Sequence, residues 1–170
     1  MASLIENLMS ILEKENDEYQ KLLALSIEKT GIIVKGDVNA LNEIVAKEQA
    51  IVDVVSSLEK KRMEASSDIA LVLNRKPEEL TLKTLADMLA SRPKESEALH
   101  SLHDKLKKTM SDMVRVNENN KALLQESIDM TQFEINLAQS IRQAPTTANY
   151  SGTAYADNEY ASPGYFDAKQ

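Results

Sequence analysis

The residues whose chemistry is easiest to imagine lie close together: Glu97-Ala98-Leu99-His100, followed by His103. A carboxylate and an imidazole three residues apart share one helix face. Di-iron helical bundles use such a Glu-x-x-His pair from each of two helices, with a further Glu from each of the other two. No second pair exists here, because His100 and His103 are the chain's two histidines. Their own three-residue spacing can grip a metal weakly, and the plainer reading is two solvated imidazoles on a polar face. With no cysteine, thiolate metal sites, Cys nucleophiles and disulfides are excluded. Residues 1–142 hold only Gly31 and Gly36, so no glycine-rich phosphate loop is present. No Ser-His-Asp grouping shows in the local sequence. No catalytic, metal or cofactor residue is assigned, and a non-enzymatic binding protein is expected.

Composition narrows the partners. The net charge is -7; residues 143–170 supply -2 of it (Asp157, Glu159 and Asp167 against Lys169), leaving -5 on residues 1–142. Nucleic acid and anionic membrane need a basic face, so an acidic body argues against both. Two Phe and no Trp make any core aliphatic. No apolar run approaches the ~20 residues of a membrane span. The opening Met-Ala-Ser-Leu-Ile-Glu lacks a basic n-region, which predicts no signal peptide and a cytoplasmic protein.

The elements that position these residues are helical throughout. Leu4, Leu8, Ile11, Leu12, Tyr19, Leu22, Leu25 and Ile32 recur at helix period and predict a helix from Ser3 to about Val34, roughly 48 Å long. Ser3 with Glu6 forms a capping-box pattern. Glu15 interrupts the stripe, so the face there is expected to be open or polar. Gly36 suits a left-handed helix end and Asp37 a cap for the next helix. That second helix, Val38 to Leu73, carries Leu41, Ile44, Val45, Ile51, Val52, Val55, Leu58, Ile69 and Val72, with Glu48 and Arg62 as polar breaks. The short turn folds it back antiparallel. Pro77 stops it, Thr81 caps a short helix from Leu82 to Ala90, and Pro93 opens a last long one through Leu99, Leu102, Leu106, Met110, Met113, Val116, Leu124, Ile128, Ile135, Leu137 and Ile141. The expected fold is all-α: an elongated antiparallel helical bundle or coiled-coil hairpin of three long helices and one short helix.

Two further features bear on binding. Asn117 and Asn120 fall where the stripe of the last helix continues; a buried Asn at a seam fixes register at a cost in stability, and the alternative is that both are solvated. Met88, Met110, Met113 and Met130 read as core fillers, or as a surface that adapts to partner helices. Beyond residue 142 the composition changes to Ala, Ser, Thr, Asn, Gly and Pro, too poor in aliphatics to bury a core, which predicts a disordered tail over 143–170 after a body of 1–142. Tyr150, Tyr155, Tyr160 and Tyr165 punctuate it at every fifth position. Steps of five turn about 140° around a helix, or span roughly 16 Å of extended chain. Neither geometry makes one ridge, so the rings read as separate anchors or as incidental residues of a low-complexity tail.

The order of several modest signatures resembles the FlgN family. They are Leu-Met-Ser-Ile-Leu-Glu-Lys-Glu-Asn-Asp-Glu-Tyr-Gln-Lys-Leu-Leu near the start, Val-Lys-Gly-Asp-Val-Asn-Ala-Leu at the turn, and Lys47-Glu48-Gln49. Leu58-Glu59-Lys60-Lys61-Arg62, Leu80-Thr81-Leu82 and Asn117-Glu118-Asn119-Asn120-Lys121-Ala122-Leu123-Leu124 complete the set. The resemblance spans about residues 4 to 140. It implies a cytoplasmic flagellar type III export chaperone that keeps hook–filament junction (hook-associated) proteins soluble by holding their C-terminal helical region and presents them at the export gate. By position it makes the last helix the groove candidate, with Met113, Val116, Asn117, Asn120, Leu124 and Ile128 as cargo contacts. The tail tyrosines are then anchors on the gate or the cargo. The chain is expected to be a monomer or homodimer. The competing readings are a structural or tethering coiled-coil homodimer without cargo, and a metal-binding bundle enzyme.

Overall fold

Gly36 adopts φ +68° at the first turn. Its N–H reaches Ile33 O at 3.0 Å and the Asp37 N–H reaches Ile32 O at 3.3 Å, the paired closure of a Schellman motif. Asp37 then caps the next helix, its carboxylate accepting from the Ala40 N–H at 3.0 Å. The computed structural model describes residues 2–90 and 92–143. Their elements are α1 (Ala2–Lys35), α2 (Val38–Val72), a 3-10 turn (Pro77–Glu79), α3 (Leu82–Met88) and α4 (Pro93–Gln143), an all-α arrangement with no strand among the described residues. Because α1 begins at Ala2, Ser3 lies inside the helix and not at the cap position its pattern suggested.

The second helix stops by the same device with a different residue. Asn74 takes φ 52°, a left-handed conformation that Asn tolerates better than most residues. The Asn74 N–H bonds Leu71 O at 3.2 Å and the Arg75 N–H bonds Ala70 O at 2.9 Å. The connection that follows is short because Thr81 restarts a helix, its hydroxyl accepting from the Thr84 N–H at 3.1 Å. α3 ends at Met88, two residues before the expected Ala90, and Pro93 opens α4 as expected.

The chain divides into two compact units, residues 1–133 and 134–170. In the first, one apolar core joins four helices. Ile5, Leu8, Ile11 and Leu12 of α1 meet Ala65 and Ile69 of α2, Leu85 and Ala86 of α3 with adjoining Leu89, and Leu99, Leu102 and Leu106 of α4. Leu99 and Ile69 are 0% exposed, and a fully buried aliphatic side chain of this kind stabilises by about 1.5–3 kcal/mol. The start of α4 is further tied to α3 by the Ser96 hydroxyl donating to Ala86 O at 2.8 Å. Elsewhere in this unit the apolar seam runs between α1 and α2, through Leu22, Ile33, Ile44, Val55 and Leu58.

Cross-helix bonds fix the directions. Arg62 meets Glu15 and Glu48 meets Lys29, so α2 runs antiparallel to α1. Thr109 meets Asn16 and Asn120 meets Thr30, so α4 runs parallel to α1. The three long helices therefore form an up-down-up bundle.

The stripes match the buried faces in outline and depart from them in detail. Val45, Val52 and Val72 of α2 are exposed, while Ala65 and Ala70 are buried in their place. Small side chains let neighbouring helices approach closely, and that packing is invisible to hydrophobicity alone. Met88, Met110 and Met130 are exposed and Met113 half-buried, so these methionines are not core fillers. Ile128, Ile135, Leu137 and Ile141 are likewise exposed.

Candidate functional site

The polar breaks in the stripes turn out to be paired across helices. Glu15 was expected on an open or polar face. Its side chain is only 5% exposed and accepts from Arg62 Nε at 3.1 Å. Arg62 also lies 3.5 Å from Glu59 on the outside of α2. Burial pushes the Glu15 carboxyl above its ordinary value, with the Arg62 charge pulling the other way. The Tyr19 hydroxyl beside it is raised too, first by burial and then by the Glu15 charge. About four turns further along the pair, Lys29 Nζ holds both oxygens of Glu48 at 2.8 and 2.7 Å, and the Ser26 hydroxyl donates to the same carboxylate at 3.1 Å. A signal for these pairs was present: Glu15 and Lys29 are fourteen residues apart, as are Glu48 and Arg62. Equal spacing in antiparallel helices lets both pairs align at once.

Against α1, α4 presents the face that carries the candidate cargo residues. Asn120 is 2% exposed. Its Oδ1 accepts from the Thr30 hydroxyl at 2.6 Å and its Nδ2 donates to Ser26 O at 2.7 Å. The two asparagines left open by the sequence thus have opposite fates: Asn120 is at the seam, and Asn117 is exposed. Met113, Val116 and Leu124 are half-buried and Ile128 is 60% exposed. Asn117, Asn120, Leu124 and Ile128 line one shallow open surface with Lys29 and Lys121; Met113 and Val116 lie outside it. Every residue from Gln125 to Arg142 is exposed, among them Met130 and Phe133 of the first unit. The thiol-free, glycine-poor face offers apolar side chains, amides and the Lys121 ammonium, and so suits another protein segment better than a small reactive substrate.

A second concavity lies between α1, α2, α3 and α4, walled by Leu12, Leu82, Leu106 and Met110 over a floor of Glu15, Tyr19 and Arg62. The stripes name these residues one helix at a time but do not bring them into one site, because that site depends on four helices at once.

Of the two imidazoles, His103 lines the second concavity and His100 does not. His100 Nε2 lies 3.4 Å from Asp87 Oδ1, and His103 Nδ1 lies 3.1 Å from its neighbour Asp104. Among the described residues no group of three or more His, Cys, Asp or Glu is arranged to hold a metal ion. Glu97 is exposed and belongs to no such group, so the Glu-x-x-His spacing is a feature of helix periodicity. Among the described residues no helix is long and apolar enough to cross a membrane. The tail tyrosines Tyr150, Tyr155, Tyr160 and Tyr165 lie outside the described residues.

No curated protein and no solved structure matches the chain significantly. A family model does: that of the FlgN protein, over residues 1–156. A match over so much of a chain of 170 residues, most of it three long helices in the order read from the sequence, settles the relationship. The chain belongs to the FlgN family, whose members are chaperones of flagellar export.

Proposed function

We propose that this protein is a cytoplasmic chaperone that binds the C-terminal helical region of hook–filament junction proteins, prevents their premature association and delivers them to the export gate. The observation that carries the reading is the partly uncovered apolar row on α4. Leu124 and Ile128 lie beside Asn117 and Lys121 on a surface that nothing else in the first unit covers fully. An amphipathic helix recognised through anchors spaced i, i+4 and i+7 fits such a face. Met113, Val116, Asn117, Leu124 and Ile128 make the contacts, and Asn120 sets the register of the helix that presents them. Substituting Leu124→Glu and Ile128→Glu together tests the assignment. Both are at least partly exposed, so the fold tolerates them. Affinity for a C-terminal cargo fragment is expected to fall about tenfold or more, on the scale of losing two anchors; unchanged affinity moves the site elsewhere.

The four tail tyrosines act as separate anchors on the cargo or the export gate. Removing residues 144–170 is expected to weaken one of these two interactions, and a truncated chain that keeps both at full strength contradicts this role.

A second reading has one observation in its favour. Val38, Val45 and Val52 are exposed on α2 at seven-residue intervals, the repeat of a coiled-coil seam. A structural homodimer built on that row would sediment as a dimer without cargo, and a concentration-independent monomer would dismiss it.

A further inference from the structure

α4 is held to the rest of the first unit in two chemically different ways. Its beginning is clamped by apolar burial: Leu99, Leu102 and Leu106 belong to the single core shared with α1, α2 and α3. From residue 107 to 133 the buried side chains are Thr109 and Asn120, and both are polar. Their partners on α1 are polar as well. The Thr109 hydroxyl donates to Asn16 Oδ1 at 3.2 Å, and Asn120 bonds the Thr30 hydroxyl and Ser26 O. The apolar residues flanking this seam, Leu23 on α1 and Met113, Val116 and Leu124 on α4, are only half-buried.

We propose that α4 carries a hinge at Lys107-Lys108 and that Asn120 is the latch of a detachable segment: residues 109–133 leave α1 while residues 93–106 stay docked. The physical basis is the difference in what water can replace. Opening an apolar seam exposes surface that water solvates poorly, whereas opening a polar seam exchanges each protein hydrogen bond for one to water. The α1–α2 hairpin does not depend on the latch, since Leu22, Ile33, Ile44, Val55 and Leu58 close it without α4. The Glu48–Lys29–Ser26 bonds also lie wholly within that hairpin. Once detached, a lone stretch of helix in water is marginal, so its backbone amides become exchangeable. This goes beyond the binding reading above and needs no cargo.

Amide hydrogen exchange of the full chain, without partner, tests it. Amides of 110–124 are expected to exchange roughly tenfold or more faster than those of 97–106, as a locally opening unit does beside a core unit. Two substitutions act in opposite directions on the latch. Asn120→Leu makes the seam apolar and is expected to slow exchange in 110–124. Thr30→Val, which keeps the side-chain volume but removes the donor to Asn120 Oδ1, is expected to speed it. Neither changes 97–106. Equal protection of the two stretches in the unaltered chain, or a Thr30→Val chain whose 110–124 amides are unaffected, overturns the proposal.

Discussion

Asn120 and Thr30, ninety residues apart in sequence, are joined side chain to side chain at 2.6 Å. This contact sets where α4 lies along α1, because a one-residue slip would turn the amide to solvent and break its bond to Ser26 O. A buried amide gives position more than strength. Substituting Asn120→Ala is expected to cost about 1 kcal/mol in urea unfolding, the net worth of a typical hydrogen bond, because the groups left behind regain water when the segment opens. A loss as large as that of a core leucine would mean that α4 is rigidly docked along this whole stretch.

Leu99→Ala probes the opposite regime. Leu99 is 0% exposed at the junction of four helices, and its truncation is expected to cost about 2–5 kcal/mol. The urea midpoint measures it, and an effect no greater than that of Asn120→Ala would contradict the assignment of the core.

Glu15 links stability to pH. Its folded carboxyl is raised from the ordinary 4.5, by burial first, with Arg62 opposing. Between the unfolded and folded values the native state binds the proton more tightly, so the group's contribution is complete below 4.5 and lost as pH rises through the folded value. Glu15→Gln removes that dependence. Unfolding free energies compared between about pH 4 and pH 7 should show the variant gaining on the unaltered chain as pH rises. A difference independent of pH would show that Arg62 fully offsets the burial.

The first turn is expected to be sensitive to its backbone. Gly36→Ala places a Cβ at φ +68° and should cost about 1–2 kcal/mol. Asp37→Ala, which removes the acceptor for the Ala40 N–H, should cost about 1 kcal/mol. Thermal unfolding of the two variants checks both figures, and a stabilised Gly36→Ala would require a different turn.

Much of this was legible from residue types. Gly36-Asp37, Thr81 and Pro93 mark helix ends through local chemistry, so their positions follow from a few residues each. Asn74 as a left-handed helix end leaves no separate mark, because the neighbouring Pro77 already accounts for the stop. Pairing is the harder part: the equal fourteen-residue spacing of Glu15 to Lys29 and Glu48 to Arg62 permits the two ion pairs without singling them out. Glu15 and Arg62 each look like an interruption in a stripe, and only the fold brings them to 3.1 Å. Asn117 and Asn120 have the same residue type three positions apart, yet the rotation of α4 against α1 buries one and exposes the other. The exposed methionines illustrate the same point: helix period tells which residues share a face, not whether another helix covers it.

Calorimetric titration of the full chain with C-terminal fragments of hook–filament junction proteins tests the central claim most directly. The account predicts saturable one-to-one binding with a negative heat-capacity change, the mark of apolar surface being covered. Absence of binding to every such fragment would contradict it and favour a partner-free coiled coil.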